Sequence, residues 1–152
     1  MILTLACGPG VVQTTAWEGP RDAGGWTFVS EWNAVRTLAA GDDRVWAVTD
    51  AGLHRGKLGG GQWQDVKGLL PEDDAPPIHS LHVDAAGTLW IAGDGFLASL
   101  EGGNATRFAD VEACLGRADV VTDGGGIVRV GGGTKLASWD AGEWSVQALP
   151  FE

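Results

Sequence analysis

The sequence is poor in residues that hold small domains together through covalent or metal cross-links. It has two cysteines, Cys7 and Cys114, and they form no Cys-x-x-Cys pair. A disulfide-rich scaffold and a zinc or redox motif of that spacing are therefore excluded. We expect two buried free thiols, because unpaired cysteine behaves as a small apolar residue. A single bridge between them is the alternative.

Long apolar runs are also absent. No stretch of about 18 consecutive apolar residues occurs, so the sequence predicts no membrane-spanning helix. The start, MILTLACG, is similar to a lipoprotein cleavage site, but it lacks a basic segment and too few residues precede Cys7 for a signal peptide. We expect an extracytoplasmic (periplasmic or secreted) protein if this start is the remnant of a longer exported precursor, and a cytoplasmic one otherwise.

Positive charge is scarce. There are 10 Lys and Arg residues against 20 Asp and Glu, which gives a net charge of -10. Such a field repels a phosphate backbone or an anionic lipid surface. Nucleic-acid binding and general membrane binding are therefore not expected, and we interpret the acidic surface as a solubility feature.

Glycine and tryptophan, in contrast, are abundant. The 152 residues include 25 Gly and 8 Trp but no Tyr, and 44% are hydrophobic. Glycine spread between short apolar runs, without a collagen period, indicates many tight turns. The sequence therefore predicts an all-β fold in a single domain, 1–152.

A hairpin pattern recurs through the chain at intervals of about 40 residues. In each copy an apolar residue is followed eight positions later by another, with a Gly-rich turn between them. The four copies are LTLACGPGV from Leu3, VWAVTDAGL from Val45, LWIAGDGFL from Leu89 and VRVGGGTKL from Val128.

Two further strands flank this hairpin. An aromatic strand follows each copy, and an inner strand precedes three of them. The aromatic residues are Trp26, Trp63, Phe108 and Trp144, and the inner strands start at Val35, Ile78 and Ala118. Four short strands in about 40 residues are typical of a β-propeller blade. We assign four repeats, 1–33, 34–76, 77–117 and 118–152, of which the first lacks its inner strand.

The third repeat carries a more specific motif. Its stretch IHSLHVDAAGTLWIAGDGFLASL (78–100) resembles the two-component-regulator propeller repeat, which has an apolar strand, an Asp, a turn ending in Gly, and Leu-Trp-Ile. The resemblance implies turn-forming and packing roles for Trp46, Asp84, Gly87, Trp90, Asp123 and Gly126. The second repeat has Gly-Asp-Asp-Arg in place of Asp-x-x-Gly, and the fourth has Arg129 in place of Trp. Similar strings occur in streptogramin-lyase-like and gluconolactonase-like propellers, so the motif implies the architecture rather than one family.

Closure of the ring has two alternatives. Propellers have about four to eight blades, and an isolated blade cannot bury both of its faces. Four blades could close a small ring, yet the first has three strands and LPFE follows the fourth outer strand directly. We favour a partial propeller, either part of a larger ring or an arc completed by another copy. An arc exposes apolar faces and so predicts a homo-oligomer.

Nucleophile, phosphate and zinc motifs are missing. No Gly-x-Ser-x-Gly, P-loop or zinc spacing occurs. His79 and His82 stand three apart in a strand, so they face opposite sides and cannot chelate one ion together. Asp84 and Asp123 begin matching turns, where an Asp side chain accepts hydrogen bonds from backbone amides. We therefore expect no catalytic residue, no metal site and no cofactor.

One repeated position carries polar residues. Arg36, His79 and Asp119 each stand one place after the first residue of their inner strand. Polar groups there would line the mouth of the channel or a concave arc, where propellers bind ligands. We take these three residues as the candidate ligand site, against the simpler interpretation that they keep the strand edges soluble.

These observations favour a non-enzymatic ligand- or protein-binding module with a sensory role, like the extracytoplasmic propellers of bacterial regulators. One alternative is a lactonase- or lyase-like propeller hydrolase that uses a channel metal. The scarcity of acidic residues paired with His at matching inner positions counts against it. The other alternative is a truncated propeller fragment that assembles with another copy.

Overall fold

The computed structural model describes residues 4–5, 13–16, 35–41, 43–59, 62–66 and 77–150, the first two ranges by their backbone alone. Within these ranges the chain forms short strands and one helix. In chain order they are β1 (Thr4–Leu5), β2 (Gln13–Ala16), β3 (Val35–Ala40), β4 (Arg44–Thr49), β5 (Gly52–Lys57), β6 (Gln64–Asp65), β7 (Ile78–Val83), β8 (Leu89–Gly93), β9 (Phe96–Glu101), β10 (Asn104–Arg107), α1 (Ala109–Leu115), β11 (Val120–Gly124), β12 (Ile127–Gly132), β13 (Lys135–Asp140) and β14 (Glu143–Ala148).

The strands form three antiparallel sheets, each built on four consecutive strands from one of the last three repeats. The second-repeat sheet has the order β3-β4-β5-β6. The third-repeat sheet is β7-β8-β9-β10 with β2 at its edge, and the fourth-repeat sheet is β11-β12-β13-β14 with β1 at its edge. The prediction of a mostly β chain is confirmed. No sheet of the described strands closes on itself.

The first repeat is described only at β1 and β2, so most of its predicted hairpin lies outside the described residues. Both of its described strands lie at the edges of other sheets, since β1 pairs with β14 and β2 pairs with β10. They do not pair with each other, so the described part of this repeat forms no sheet of its own. The outer edge of a sheet carries unpaired backbone groups, and an added strand satisfies them. Trp26 of the predicted aromatic strand lies outside the described residues.

The three hairpins predicted in the later repeats are confirmed. β4 pairs with β5, β8 with β9 and β12 with β13, each in unbroken register. The turns that join the last two pairs contain Gly95 and Gly133, with φ of 60° and 54°. Glycine adopts this left-handed region without the steric cost that a Cβ brings. Alternating apolar residues and turn glycines therefore define the same hairpins in sequence and structure.

The sheets pack face to face through two apolar layers, with the third-repeat sheet in the middle. All residues of its central strand β8 are buried. Leu89 and Ile91 belong to the layer shared with the second-repeat sheet. Trp90 and Ala92 belong to the layer shared with the fourth-repeat sheet. Because alternate side chains of a strand face opposite sides, an uninterrupted apolar run is what a doubly covered strand requires.

The first strands of the three sheets lie side by side, with β7 between β3 and β11. Strands β3 and β7 end near each other: a Cβ added at Gly41, just after β3, would lie only 3.0 Å from Val83 Cγ1 at the end of β7. Strands β7 and β11 begin near each other, as described below. Side chains at the starts of β7 and β11 therefore meet across the seam between the third- and fourth-repeat sheets.

Helix α1 packs against β9, β13 and β14 and carries Cys114. Cys114 is disulfide-bonded, and no described cysteine is free. The expectation of free thiols is therefore wrong for Cys114. Cys7, the other cysteine of the chain, lies outside the described residues. Most of the acidic, proline-containing segment that joins the second and third repeats also lies outside the described residues.

No helix in the described ranges has the length and apolar character needed to cross a membrane.

Candidate functional site

Arg36 and His79 occupy matching β-bulges. The ladders between β3 and β4 and between β7 and β8 each shift register near the start of the first strand. The residues inside these two shifts are Arg36 and His79. A bulge leaves its extra residue unpaired and changes the direction of that side chain. The repeat therefore sets both polar groups apart from the ladder at the same place.

Each of these side chains is paired with an aspartate of the next hairpin turn. Arg36 Nε donates to Asp50 Oδ1 at 2.8 Å. His79 Nε2 lies 3.0 Å from Asp94 Oδ1. Asp50 directly follows β4 and Asp94 directly follows β8, so the two pairs are equivalent. Sequence reasoning missed both aspartates, although the aligned hairpins VWAVTDAGL and LWIAGDGFL carry them at the same position.

Asp119 joins the His79 pair from the fourth-repeat sheet. It accepts a short hydrogen bond from Arg117 Nε, and the same nitrogen lies 3.3 Å from Asp94 Oδ1. His79, Asp94, Arg117 and Asp119 thus form one charged group across the seam between two sheets, which we call the seam network. Their side chains are 32%, 49%, 56% and 34% exposed, so a ligand can reach all four.

The seam network combines acceptors with a permanent donor. The hydrogen bond to Asp119, the charge of Asp119 and the charge of Asp94 raise the pKa of Arg117 above its ordinary value. Its guanidinium therefore stays protonated at every physiological pH. With a neutral imidazole at His79, the seam network carries two negative charges and one positive charge.

Two glycines let the starts of β7 and β11 approach the neighbouring hairpins. A Cβ added at Gly93 would fall inside contact distance of Pro77 O, and one at Gly132 would overlap Arg117 O. Glycine in a strand commonly marks such a close backbone approach. The N–H of Asp94 donates to Pro77 O at 3.2 Å, which holds this aspartate beside the start of β7.

The described residues contain one group of candidate metal ligands. The donor atoms of His79, Asp94 and Asp119 all lie within 4.8 Å of one another. An imidazole nitrogen and two carboxylates suit a divalent transition metal. Arg117 contacts both carboxylates, however, so a bound cation would have to displace its guanidinium.

Arg36 stands apart from the seam network. Its hydrogen bond and its ion pair both go to Asp50 within the second-repeat sheet. Of the three predicted ligand residues, the structure therefore brings together His79 and Asp119 and leaves Arg36 with a partner of its own. Arg117 was not predicted, because it precedes the strand and no repeated position marks it.

The motif residue Asp84 organises the turn between β7 and β8. Its Oδ1 accepts from the N–H groups of Ala86 and Thr88, each at 2.9 Å, and its Oδ2 accepts from Trp90 Nε1 at 2.8 Å. Gly87 in the same turn has a φ of 83°. One carboxylate therefore fixes both the turn and the orientation of the indole.

Trp90 lies in a cluster of four aromatic rings between the third- and fourth-repeat sheets. Its ring centroid is 5.7 Å from that of Phe108, 6.1 Å from that of Trp139 and 5.9 Å from that of Trp144. Stacked and edge-on contacts at such distances stabilise a core beyond the area that they bury. Trp90 is 3% exposed, so it is a packing residue rather than a contact surface.

The remaining motif positions have less uniform surroundings. Trp46 is buried in the layer between the second- and third-repeat sheets. Asp123 lies in the ladder opposite Val128, and its Oδ2 accepts one long hydrogen bond, 3.4 Å, from Ala85 N–H. Gly126, in the turn between β11 and β12, has a φ of 78°.

The seam network is the place where side chains from different repeats converge with their charges accessible, and it is the candidate functional site. Comparisons with known proteins supply no identity for the chain, since no family model, no curated protein and no solved structure matches it.

Proposed function

We propose that the chain is a non-enzymatic binding module built as an arc of propeller blades similar to the two-component-regulator propeller repeat. The face-to-face packing of three four-stranded units supports this architecture. So do the first strands, which lie side by side as the inner strands of blades do around an axis.

The seam network is the observation that carries the proposal. It places two carboxylate acceptors and a guanidinium donor at the starts of β7 and β11. Exposed ion pairs contribute about 0–1 kcal/mol each to stability, because solvent screens them. Replacing these ion pairs by contacts with a ligand therefore reduces the stability of the fold only slightly. A ligand with both donors and acceptors, such as a peptide or a polar small molecule, would replace them best.

The disulfide at Cys114 supports a place outside the cytoplasm. Most cytosols keep thiols reduced, whereas exported proteins retain their disulfides. An exported domain with an accessible polar site fits a sensory role, in which an external ligand or protein is bound at the strand starts.

A peptide-display selection against the full chain tests this proposal. We expect selected peptides to lose about tenfold in affinity when Asp94→Ala removes the shared partner of His79 and Arg117. The matched control is Asp140→Ala, which removes an equally negative, exposed side chain from the β13–β14 turn. Peptides that bind the Asp94→Ala variant as well as the unchanged chain would place the binding surface elsewhere and contradict the proposal.

A metal-dependent hydrolase is the second candidate, favoured by the clustered donor atoms of His79, Asp94 and Asp119. The contact of Arg117 with both carboxylates counts against it, because the guanidinium already compensates their charge. After dialysis against calcium or zinc, we expect less than one ion per chain by elemental analysis and no hydrolysis of model lactones. One tightly held ion per chain that Asp119→Asn removes would instead overturn the binding-module proposal.

A further inference from the structure

A cavity lies at the opposite end of the strands from the seam network. It opens between the second- and third-repeat sheets and has a volume of about 240 Å³. Its lining includes Arg44, Trp46, Arg55, Val83, Leu100 and Gly102. A neighbouring cavity of about 250 Å³ shares Arg44 and Arg55 and adds Lys57. We call the two together the Arg44–Arg55 groove.

The groove concentrates positive charge on an acidic protein. The chain has a net charge of -10 and 10 Lys and Arg residues, yet Arg44, Arg55 and Lys57 all lie on the β4–β5 hairpin. Arg44 stands directly opposite Lys57 in the ladder. Like charges at such positions destabilise a sheet. The carboxylate that lines both cavities is that of Asp43, which lies 3.5 Å from Arg44 Nε. Among the described lining residues, the cations Arg44, Arg55 and Lys57 outnumber the carboxylates.

Arg55 is held in a defined orientation within the groove. Its guanidinium lies 5.8 Å from the centre of the Trp46 ring, and its Nη2 donates to Gln64 Oε1 at 2.6 Å. Burial and, second, the charge of Arg44 lower the pKa of Arg55, while Asp43 opposes them. The guanidinium still remains protonated near neutral pH. An anion placed between Arg44 and Arg55 would relieve their repulsion.

The groove also offers apolar surface of limited extent. Trp46 and Leu100 are 5% and 6% exposed, so they supply the deeper part of its lining, whereas the Arg44 side chain is 53% exposed. Ligand pockets in general combine apolar lining with a few placed polar groups that fix orientation. The volume suits a small molecule rather than a folded partner.

We propose that the Arg44–Arg55 groove binds a small organic anion through its carboxylate or phosphate group. Arg44 and Arg55 donate charge-assisted hydrogen bonds to the oxyanion, Lys57 adds positive charge at the rim, and the carbon skeleton lies toward Trp46 and Leu100. Guanidinium groups match the geometry of both oxyanions. This site shares no residue with the seam network and is independent of the function proposed there.

Titration calorimetry of the full chain with citrate and with inorganic phosphate at low ionic strength tests the proposal. We expect one saturable site in the millimolar range or tighter. In amide-detected NMR the Trp46 indole and the Gly102 amide should shift, while residues of the seam network should not. Saturation by one anion and not the other supports the site and identifies the head group that it prefers.

Three variants make the result specific. Arg44→Gln alters a largely exposed side chain and should weaken binding about tenfold, as loss of a charge-assisted hydrogen bond does. Arg55→Lys keeps the charge but loses the planar fork and should also weaken binding. Arg129→Gln removes the same charge from the fourth-repeat sheet and should have little effect. No saturable binding of either anion, or equal weakening by Arg44→Gln and Arg129→Gln, would overturn the proposal.

Discussion

Asp84 and Asp123 stand at the same position of the sequence repeat but have different surroundings. Asp84 lies beyond the last ladder pair of its hairpin, Val83 with Leu89, and its carboxylate accepts three hydrogen bonds. Asp123 lies inside the ladder, opposite Val128, because its turn is shorter. A difference in turn length therefore changes how many hydrogen bonds the aspartate at this repeat position accepts.

We expect Asp84→Ala to lower the free energy of unfolding by about 2 kcal/mol, because the buried Trp90 indole loses its acceptor together with two backbone amides. Asp123→Ala is the matched control. It removes one long hydrogen bond and should cost less than about 0.5 kcal/mol. Urea unfolding of both variants, followed by tryptophan fluorescence, measures the difference. Equal midpoints would show that the Asp84 carboxylate does not hold the turn.

Glu112 is a buried charge held by two partners. Its Oε1 accepts from Leu97 N–H at 2.7 Å, and the Arg107 guanidinium contacts both of its oxygens at 3.1 and 3.0 Å. Its side chain is 7% exposed. Water therefore cannot replace these partners without opening the region where α1 meets β9.

We expect Glu112→Ala to destabilise the fold by about 3 kcal/mol, since it leaves a partly buried guanidinium and a buried amide without their acceptor. Glu101→Ala, at an exposed position that ends β9, should change stability by less than about 0.5 kcal/mol. Chemical unfolding followed by circular dichroism gives both values. A loss no larger than the control's would mean that the buried ion pair adds nothing.

The candidate site was predictable residue by residue only in part. His79 and Asp119 were predicted because the aligned sequence places polar residues at one position of the inner strand, although Asp119 in fact precedes β11, which begins at Val120. Their convergence depends on the packing of two sheets, which periodicity does not encode. Asp94 was missed because an aspartate in a glycine turn is ordinarily a turn former. Aligning the hairpin turns as closely as the strands would have paired His79 with Asp94.

At the scale of elements, the strands of the last three repeats follow directly from alternation and turn glycines. The pairing partners of β1 and β2 do not follow from the sequence pattern. An edge strand can add to any open sheet edge, and the local pattern does not specify which edge. For residues 109–117 the sequence allowed a single helical turn or a loop, because the seven residues of α1 are too few to establish a helical period. The pairing state of Cys114 depends on distance in space, which sequence spacing does not give.

We expect reduction of the disulfide at Cys114 to lower the free energy of unfolding by about 3 kcal/mol, because the link restricts the unfolded chain. Urea unfolding with and without reductant measures this. The Cys114→Ser variant is the control, and its midpoint should not respond to reductant. An unchanged midpoint for the native chain on reduction would rule out a stabilising role for the bond.

For the whole molecule, Leu38 is an exposed apolar side chain at the edge of the second-repeat sheet. Leu38 and Leu81 occupy the same repeat position, yet Leu38 is 57% exposed and Leu81 is 7% exposed. Leu81 is covered because the second-repeat sheet packs on its side of the third-repeat sheet. The exposure is local to the edge strand β3, because Ala47, opposite Leu38 in the ladder, and His54, opposite Ala47, are 0% and 1% exposed. Exposed apolar side chains on an edge strand favour association.

We expect the chain to self-associate through the edge strand β3, and Leu38→Glu to shift it toward monomer because burying the carboxylate is costly. Leu58→Glu is the matched control, since Leu58 is 51% exposed but lies at the end of the β4–β5 hairpin. Sedimentation velocity over a concentration series gives the mass of each. A native chain that stays monomeric at all concentrations would instead favour a small closed ring.

The bulges at Arg36 and His79 have a consequence for how the repeat can diversify. Each bulge residue and its aspartate lie within a single unit, but Asp94 also contacts Arg117 beside the fourth-repeat sheet. Among the described contacts, a substitution at Arg36 therefore affects one sheet, whereas a substitution at His79 also affects the contact between two sheets. The same bulge can thus hold an ion pair confined to one sheet or an ion pair that links two sheets, while the scaffold stays the same.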